Sequence, residues 1–308
     1  MGRDGHSGNQ RVAILLSTFN GAPFLPAQLD SFLAQTHRNW RVLWRDDGSS
    51  DGTPALVDAF GQGRAAVHRV PGDSRTGVTE SFLTLLRAAE RGEYAAFADQ
   101  DDVWMPDKLA RALRALAPFG ARPALYCARQ ILVDEDLNHL GLSALGHGPT
   151  AFPAALTQNI ATGCTAVLNP AAVRLVAGSR APSRTLHDWW SYLVVTASGG
   201  AVVRDETPSV LYRQHRGNAV GAPASRRRRA VAALRRGPRV FMGVMRGHVS
   251  ALQAQPELLT PGNRAKLEVI AAGLGRGPAY RLRALATNGL VRQTRAETLL
   301  FRLWFLLG

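Results

Sequence analysis

At 308 residues and 33.2 kDa the chain has room for one large core with an appendage or for two modest cores. Hydrophobic residues make up 46%, and no apolar run approaches the roughly 18 to 20 residues that a bilayer span needs. The net charge of +14 is unevenly spread: residues 1–200 carry 18 Lys+Arg against 18 Asp+Glu, and residues 201–308 carry 19 against 5, which argues against a main domain that binds nucleic acid.

Residues 1–10 are polar and glycine-rich and are expected to be disordered; they lack the apolar core of a signal peptide, so a cytoplasmic protein with two reduced cysteines, Cys127 and Cys164, is expected. Val12 to Leu16 predicts a first strand ending in Ser17-Thr18-Phe19-Asn20-Gly21. Leu25, Leu29, Phe32 and Leu33 then recur on one helical face. Trp40 to Arg45 predicts a second strand, stopping at Asp46-Asp47-Gly48-Ser49-Ser50-Asp51-Gly52-Thr53-Pro54, where Thr53 is expected to cap a helix that buries Leu56, Val57 and Phe60. A weak third strand near Val67 to Val70 precedes a helix with Val78, Phe82, Leu85, Leu86 and Ala89 on one stripe. Tyr94 to Ala98, a fourth strand, empties into Asp99-Gln100-Asp101-Asp102-Val103-Trp104-Met105, and Pro106 restarts the backbone as a helix.

Strands alternating with helices predict an α/β fold with a mostly parallel, doubly wound sheet, in which ligands bind outside the carboxyl ends of the strands. Asn20, the Asp46 to Asp51 turn and the Asp99 to Asp102 turn each follow a strand, so all three are expected at one sheet edge. Carboxylates as close as Asp99, Asp101 and Asp102 repel one another unless a cation lies between them; the alternative is a solvated acidic turn. If the ligand is a nucleoside diphosphate, Asp47 can serve the base, Asp99 the ribose and Asp101 a metal ion, with no P-loop in the sequence. Chemistry at a sugar carbon then needs a base, for which Asp188 is the candidate, with Trp189 and Trp190 beside it to stack on a sugar face. Asp188 as a helix cap and the tryptophans as core are the bland readings.

Further along, Ala124 to Val133 predicts a long strand, Pro153 to Gln158 a short helix, Thr162 to Leu168 a strand led in by a glycine turn, and Leu186 to Val195 a helix. Ala201 to Arg204 and Val210 to Arg213 predict two strands leading to Gln214-His215. Past a boundary near residue 222, Arg226 to Arg229 opens a basic region, 223–308, of helices separated by Pro238, Pro256, Pro261 and Pro278.

Together, Ser17 to Gly21, Asp46 to Thr53 and Asp99 to Leu109 resemble glycosyltransferase family 2, inverting enzymes with the GT-A fold, over residues 11–222. Thr162-Gly163-Cys164-Thr165, His187-Asp188-Trp189-Trp190 and Tyr212-Arg213-Gln214-His215 look more narrowly like the rhamnosyltransferase branch that builds bacterial surface polysaccharides. The resemblance implies Thr18 and Asn20 in the nucleotide pocket, Asp47 at the base, Asp99 and Asp101 as the Asp-x-Asp element with Asp101 on Mg²⁺ or Mn²⁺, His215 as a further metal or diphosphate contact, and Asp188 as general base. One departure stands out: relatives commonly carry Asn-x-Gly after the third strand, whereas this chain has Arg75-Thr76-Gly77.

The expected reaction is transfer of a sugar, such as rhamnose from a dTDP-sugar, to a glycan or a polyprenyl-diphosphate-linked acceptor. A metal-dependent nucleotidyltransferase and an inactive nucleotide-sugar or glycan-binding module are the competing readings; the first usually has a glycine-rich, lysine-bearing loop after the first strand, and Ser17 to Gly21 has neither. The basic tail ends in Leu299 to Leu307, with Trp304 expected at headgroup depth. Two tail partners are open: an anionic membrane surface at the inner face of the plasma membrane, or protein, either its own domain or a second subunit in a homodimer.

Overall fold

A computed structural model describes residues 10–307 apart from residues 65, 73, 74, 145, 216–225, 287 and 288, and apart from the side chains of 226–237. The expectation for residues 1–10 thus falls, but for Gln10, outside the described residues.

Four strands, β1 (Val12–Thr18), β2 (Trp40–Asp46), β3 (Val67–Arg69) and β4 (Tyr94–Ala98), pair in parallel in the order β3-β2-β1-β4. Each is followed by a helix or turn: α1 (Leu25–Leu33), α2 (Thr53–Gly61), α3 (Val78–Arg87) and, after the two-residue β5 (Val103–Trp104), α4 (Lys108–Leu116). β1 and β4 read as unbroken apolar runs because both lie in the middle of the sheet, where Val12 to Leu16 and Ala95 to Ala98 are fully buried. Beyond β4 the sheet continues with antiparallel partners, β8 (Val167–Leu168) and β6 (Ala124–Val133), then β9 (Ala201–Arg213) and β5; β7 (His139–Leu142) pairs with β6. The parallel pairing expected from the βα alternation therefore holds through β4, and the second half is built from antiparallel strands.

Local differences have local causes. Leu33 is 37% exposed, because eight residues at about 100° each turn it some 80° from Leu25 to the margin of the apolar stripe. Thr53 does not cap α2; its hydroxyl instead bonds Asp51 and accepts from Gly21 N. Val57 is buried there, while Leu56 and Phe60 are only half-buried. α4 starts at Lys108, with Asp107 at the preceding cap position. Thr162 to Leu168 forms a 3-10 turn, Gly163–Thr165, before β8. The two strands predicted between residues 201 and 213 are one, β9.

The chain forms two compact units. The first comprises 1–144, 161–178 and 203–222; the second comprises 145–160, 179–202 and 223–308, so two stretches that precede residue 222 in sequence belong with the C-terminal helices.

Within the first unit, Arg41 on β2 and Glu93 just before β4 form a two-pronged ion pair, with Nε and Nη2 each 2.8 Å from a carboxylate oxygen and both residues buried. Glu90, much more exposed, lies 3.1 Å from the same guanidinium. Removing Glu93 leaves the buried Arg41 charge with that weaker partner. Glu93→Ala is expected to cost about 3 kcal/mol and to lower the thermal midpoint by roughly 5–10 °C. A shift under 2 °C, as a rough threshold, would show that the pair contributes nothing net.

α5 (Pro170–Ala177) belongs to the first unit, and the second holds α6 (His187–Ala197), α7 (Arg226–Gln253), α8 (Pro261–Gly275), α9 (Pro278–Leu285) and α10 (Arg295–Leu307). Pro238, expected to separate helices, lies inside α7. The side chains of Arg226 to Arg229, Arg235 and Arg236 lie outside the described residues. Trp304, expected at a membrane surface, is buried at 6% exposure, its ring 5.8 Å from Phe241 and its neighbours Phe301 and Phe305 also buried. The correction follows from helical spacing: 301, 304 and 305 share the inward face of α10, and the outward face carries Leu299, Leu303, Leu306 and Leu307. Among the described residues no helix is long and apolar enough to cross a membrane.

Candidate functional site

The carboxyl ends of β1, β2 and β4 carry three loops that bond to one another. In the β1–β2 register Thr18 stands beside Asp46, and the buried Thr18 hydroxyl donates to Asp46 Oδ1 at 2.9 Å. Asp46 then folds its own turn, accepting from Gly48 N at 3.1 Å, Ser49 N at 2.7 Å and Ser49 Oγ at 2.6 Å. Asn20 sits at φ 48°, a left-handed conformation that asparagine tolerates, which aims its side chain at the second loop: Oδ1 accepts from Ser50 N at 2.8 Å. Asn20 N and Ala22 N donate to Ser49 Oγ and Asp51 Oδ2.

The third loop joins through Gln100, whose side chain pairs with the Phe19 backbone like a short piece of strand, accepting from N at 2.8 Å and donating to O at 2.9 Å. That close approach requires Gly21, since a Cβ there would lie 2.2 Å from Gln100 Cδ. Gln28 Nε2 donates to Asp99 O at 2.7 Å. Gln100 has no role in the sequence reading, although its place between two aspartates was its available signal.

Asp47 is buried and accepts four bonds: from Arg45 Nη1 at 2.9 Å, Thr76 N at 2.7 Å, Thr76 Oγ1 at 3.2 Å and Gly77 N at 2.9 Å. Burial alone would raise its pKa; the Arg45 bond and the Thr76 and Gly77 amides outweigh burial and hold the carboxyl below its usual range. Three of these bonds fall on Oδ1 and one, from Gly77 N, on Oδ2, and those from Thr76 and Gly77 clamp residues 76–77 to the end of β2. Gly77, at φ 83°, makes the turn into α3.

The three acids after β4 have distinct surroundings. Asp101 retains exposed side-chain surface, and its Oδ2 lies 2.7 Å from His215 Nε2, which arrives from just past the end of β9. Arg213 fixes that junction: its Nε donates to Asp101 O at 2.8 Å, its backbone N to Asp102 Oδ1 at 3.2 Å, and its Nη1 to Glu135 O. Phe24 packs beneath, 4.6 Å from the His215 ring and 4.9 Å from the Arg213 guanidinium carbon.

Asp102 is fully buried, with Oδ2 unpartnered, and burial first, then the Asp101 and Asp99 charges, push its carboxyl well above the usual range. Among the described residues Asp99, Asp102 and Cys164 offer ligand atoms within 4.8 Å of one another. The Cys164 thiol is also raised well above its usual value by burial and the nearby carboxyls. Asp101 and His215 also offer a divalent ion an oxygen and a nitrogen donor side by side, with 12% and 11% of their side-chain surfaces exposed.

Lys108, also fully buried, lies 3.2 Å from the Trp104 ring centre and donates to Cys164 O at 2.5 Å. Burial pushes it down to about 7 against the pull of Cys164, Asp102 and Asp99. Nothing in its sequence position distinguishes it from a solvated helix lysine.

Asp188, Trp189 and Trp190 lie on α6, in the second unit. Asp188 is 6% exposed, sits in the first turn, and its Oδ1 accepts from Trp189 N at 2.6 Å. The cap position is Leu186, so the capping alternative for Asp188 does not describe it. Trp189 is half-buried and donates through Nε1 to Ala155 O at 2.8 Å. Trp190 is fully buried and donates to Ser179 Oγ, so it cannot stack on a sugar; it is core.

The family profile for Glycosyl transferase family 2 matches residues 13–173. The chain belongs to glycosyltransferase family 2. It is 27% identical over 220 residues to the dTDP-rhamnosyl transferase RfbG of Shigella flexneri, covering 68% of this chain and 75% of that one. It is 34% identical over 98 residues to the UDP-Glc:alpha-D-GlcNAc-diphosphoundecaprenol beta-1,3-glucosyltransferase WfgD of Escherichia coli, covering 32% of this chain and 38% of that protein. Among solved structures it is similar to S. aureus TarS 1–349 in complex with UDP-GlcNAc, at TM-score 0.59 and 14% identity over 90% of this chain and 79% of that one. It is also similar to the mannosyltransferase PcManGT of Pyrobaculum calidifontis in complex with GDP-Man and Mn²⁺, at TM-score 0.50 and 20% identity over 97% and 88% of the two chains. The fold is therefore of the GT-A glycosyltransferase type, with C-terminal helices added.

Proposed function

We propose that this family 2 glycosyltransferase moves a sugar, with inversion, from a nucleoside diphosphate donor to a hydroxyl of a glycan or lipid-linked acceptor in surface-polysaccharide synthesis. The 2.7 Å approach of His215 to Asp101 carries the reading, because it makes a cation-holding pair where β4 ends, beside the loops after β1 and β2. The likeness to RfbG favours a dTDP-deoxysugar such as dTDP-rhamnose, and the diphosphoundecaprenol-linked sugar in the name of WfgD supports a lipid-linked acceptor.

Asp101 and His215 would hold Mg²⁺ or Mn²⁺, which supplies Lewis-acid stabilisation to the departing diphosphate. Asp99 is assigned to the ribose. Thr18 and Asn20 shape the nucleotide side by fixing the first two loops against each other. Asp188 takes the proton of the acceptor hydroxyl as its oxygen bonds to the anomeric carbon; the bond from that carbon to the diphosphate oxygen breaks, and nucleoside diphosphate leaves with the electron pair. Trp189, the half-buried member of the tryptophan pair, is assigned to the sugar or acceptor.

Incubating the full-length protein and Mg²⁺ or Mn²⁺ with dTDP-, UDP- and GDP-sugars is expected to release nucleoside diphosphate slowly from one class, dTDP-sugars first. Release of inorganic diphosphate from a nucleoside triphosphate and a sugar phosphate would instead support a nucleotidyltransferase, and no turnover with any donor a binding module.

The exposed stripe Leu299, Leu303, Leu306 and Leu307, spaced i, i+4, i+7 and i+8 and flanked by exposed Arg295 and Arg302, supports peripheral binding to an anionic leaflet from the cytoplasmic side. Full-length protein is expected to float with phosphatidylglycerol-containing liposomes at low salt, and Leu303→Glu/Leu307→Glu to stay soluble. Wild-type protein that stays soluble and elutes as a homodimer would assign the stripe to a second copy.

A further inference from the structure

We propose that Arg292 binds the phosphate of a lipid-linked saccharide acceptor, one sugar away from the hydroxyl that Asp188 activates; this rests on the transferase reading above. Every residue involved belongs to the second unit. Arg292 is half-buried, its guanidinium carbon 5.5 Å from the Phe241 ring centre. Among the described residues its one side-chain hydrogen bond runs from Nε to Gln158 Oε1 at 3.3 Å, and no carboxylate forms an ion pair with it, so both Nη groups keep their donors open. Burial lowers its pKa against the weaker pull of Glu297, which accepts from Thr294 Oγ1 at 3.2 Å. A partly desolvated guanidinium with two open Nη groups is matched by a phosphate, which supplies the missing charge and accepts two parallel N–H bonds.

Helix α7 sets the distance to the acceptor hydroxyl. Phe241 lies against Arg292, and His248 lies 4.8 Å from the Trp189 ring. The step from 241 to 248 is about 10 Å along the helix axis and nearly two whole turns, so the two contacts stand on one face of α7. A second path agrees with the first. Trp189 Nε1 donates to Ala155 O at 2.8 Å, Thr157 Oγ1 to Val291 O at 2.7 Å, and Gln158 Oε1 accepts from both Arg292 Nε and Gln293 N. Residues 155–158 thus run from the tryptophan assigned to the acceptor to the guanidinium. That spacing suits a sugar whose hydroxyl meets Asp188, whose ring lies by Trp189 and whose phosphate reaches Arg292. Arg292 also stands just ahead of α10, whose exposed leucines meet the leaflet in the reading above, and the phosphate of a lipid carrier lies at that surface.

Titration calorimetry of the full-length protein with farnesyl diphosphate, an isoprenoid diphosphate without a sugar, tests this. Chelator is included so that Asp101 and His215 have no metal with which to hold the diphosphate. Wild type is expected to bind farnesyl diphosphate more than about tenfold tighter than farnesol. R292Q puts an amide nitrogen in the place of Nε beside Gln158. It is expected to weaken farnesyl diphosphate by about 10- to 100-fold, to leave farnesol unchanged, and to keep the wild-type rate of donor hydrolysis by water in Mn²⁺. R292K, which keeps the charge but not the fork, is expected to fall between the two. No binding of farnesyl diphosphate by wild type, or full retention of it by R292Q, would overturn the assignment. So would loss of flotation with phosphatidylglycerol-containing liposomes at unchanged farnesyl diphosphate affinity, which would give Arg292 to the bilayer. A wild type that releases nucleoside diphosphate from no donor, while R292Q still loses farnesyl diphosphate, would overturn the transferase reading and leave the phosphate site standing, which separates the two failures.

Discussion

Asp188→Asn is expected to lower turnover by about 10² to 10⁴ while leaving donor affinity within roughly twofold, the loss typical of a positioned base that acts only in the transition state. The substitution keeps the size of the side chain and an acceptor for Trp189 N, the bond that Asp188 Oδ1 makes at 2.6 Å in the first turn of α6. Fold and local helix geometry should therefore survive. Single-turnover kinetics separate binding from chemistry. Collapse of donor affinity with high residual turnover would assign Asp188 to the donor and leave the base unidentified.

Asp101→Ala is the second large effect. Loss of a carboxylate on the metal removes stabilisation of the leaving diphosphate worth several kcal/mol, so turnover should fall by about 10³ or more and excess Mn²⁺ should restore little of it. The same substitution removes the partner that His215 faces at 2.7 Å. His215→Ala, which leaves the carboxylate in place, should be partly rescued by raised Mn²⁺. Equal activity of wild type in excess chelator and in Mn²⁺ would contradict both expectations, since metal-free turnover would leave the Asp101 and His215 pair without its assigned role.

Much of the first unit was legible because its signals are local. The apolar runs of β1 and β4 end in polar loops, and the parallel order follows from βα alternation. What was not legible depends on partners far away in sequence. Asp205-Glu206-Thr207-Pro208 reads as a turn between two strands, yet it continues β9. Arg111 on α4 donates to Asp205 Oδ2 at 2.5 Å and to the carbonyls of Thr207 and Pro208, and Tyr126 Oη donates to Asp205 Oδ2 at 2.8 Å.

The aromatic residues show the same limit. Trp190 and Trp304 stand in amphipathic helices where sequence spacing alone does not say which face is inward, and both prove to be core. Asp47 was legible as a loop acid, but its four donors come from residues 45, 76 and 77, and only the last two reveal it as a clamp on the Arg75 segment. Arg75 itself was visible as a departure from Asn-x-Gly. Its place over Phe19, with the guanidinium carbon 4.3 Å from the ring centre, was not.

The most direct test of the central claim is proton NMR of the sugar first formed when full-length protein and Mn²⁺ act on the donor selected in the nucleotide-sugar screen, with nucleoside diphosphate followed in parallel. Inverting transfer to water predicts equal amounts of nucleoside diphosphate and of a sugar whose initial anomer is opposite to that of the donor. A first-formed sugar with the donor's own anomeric configuration, or cleavage that yields sugar phosphate in place of nucleoside diphosphate, would contradict it.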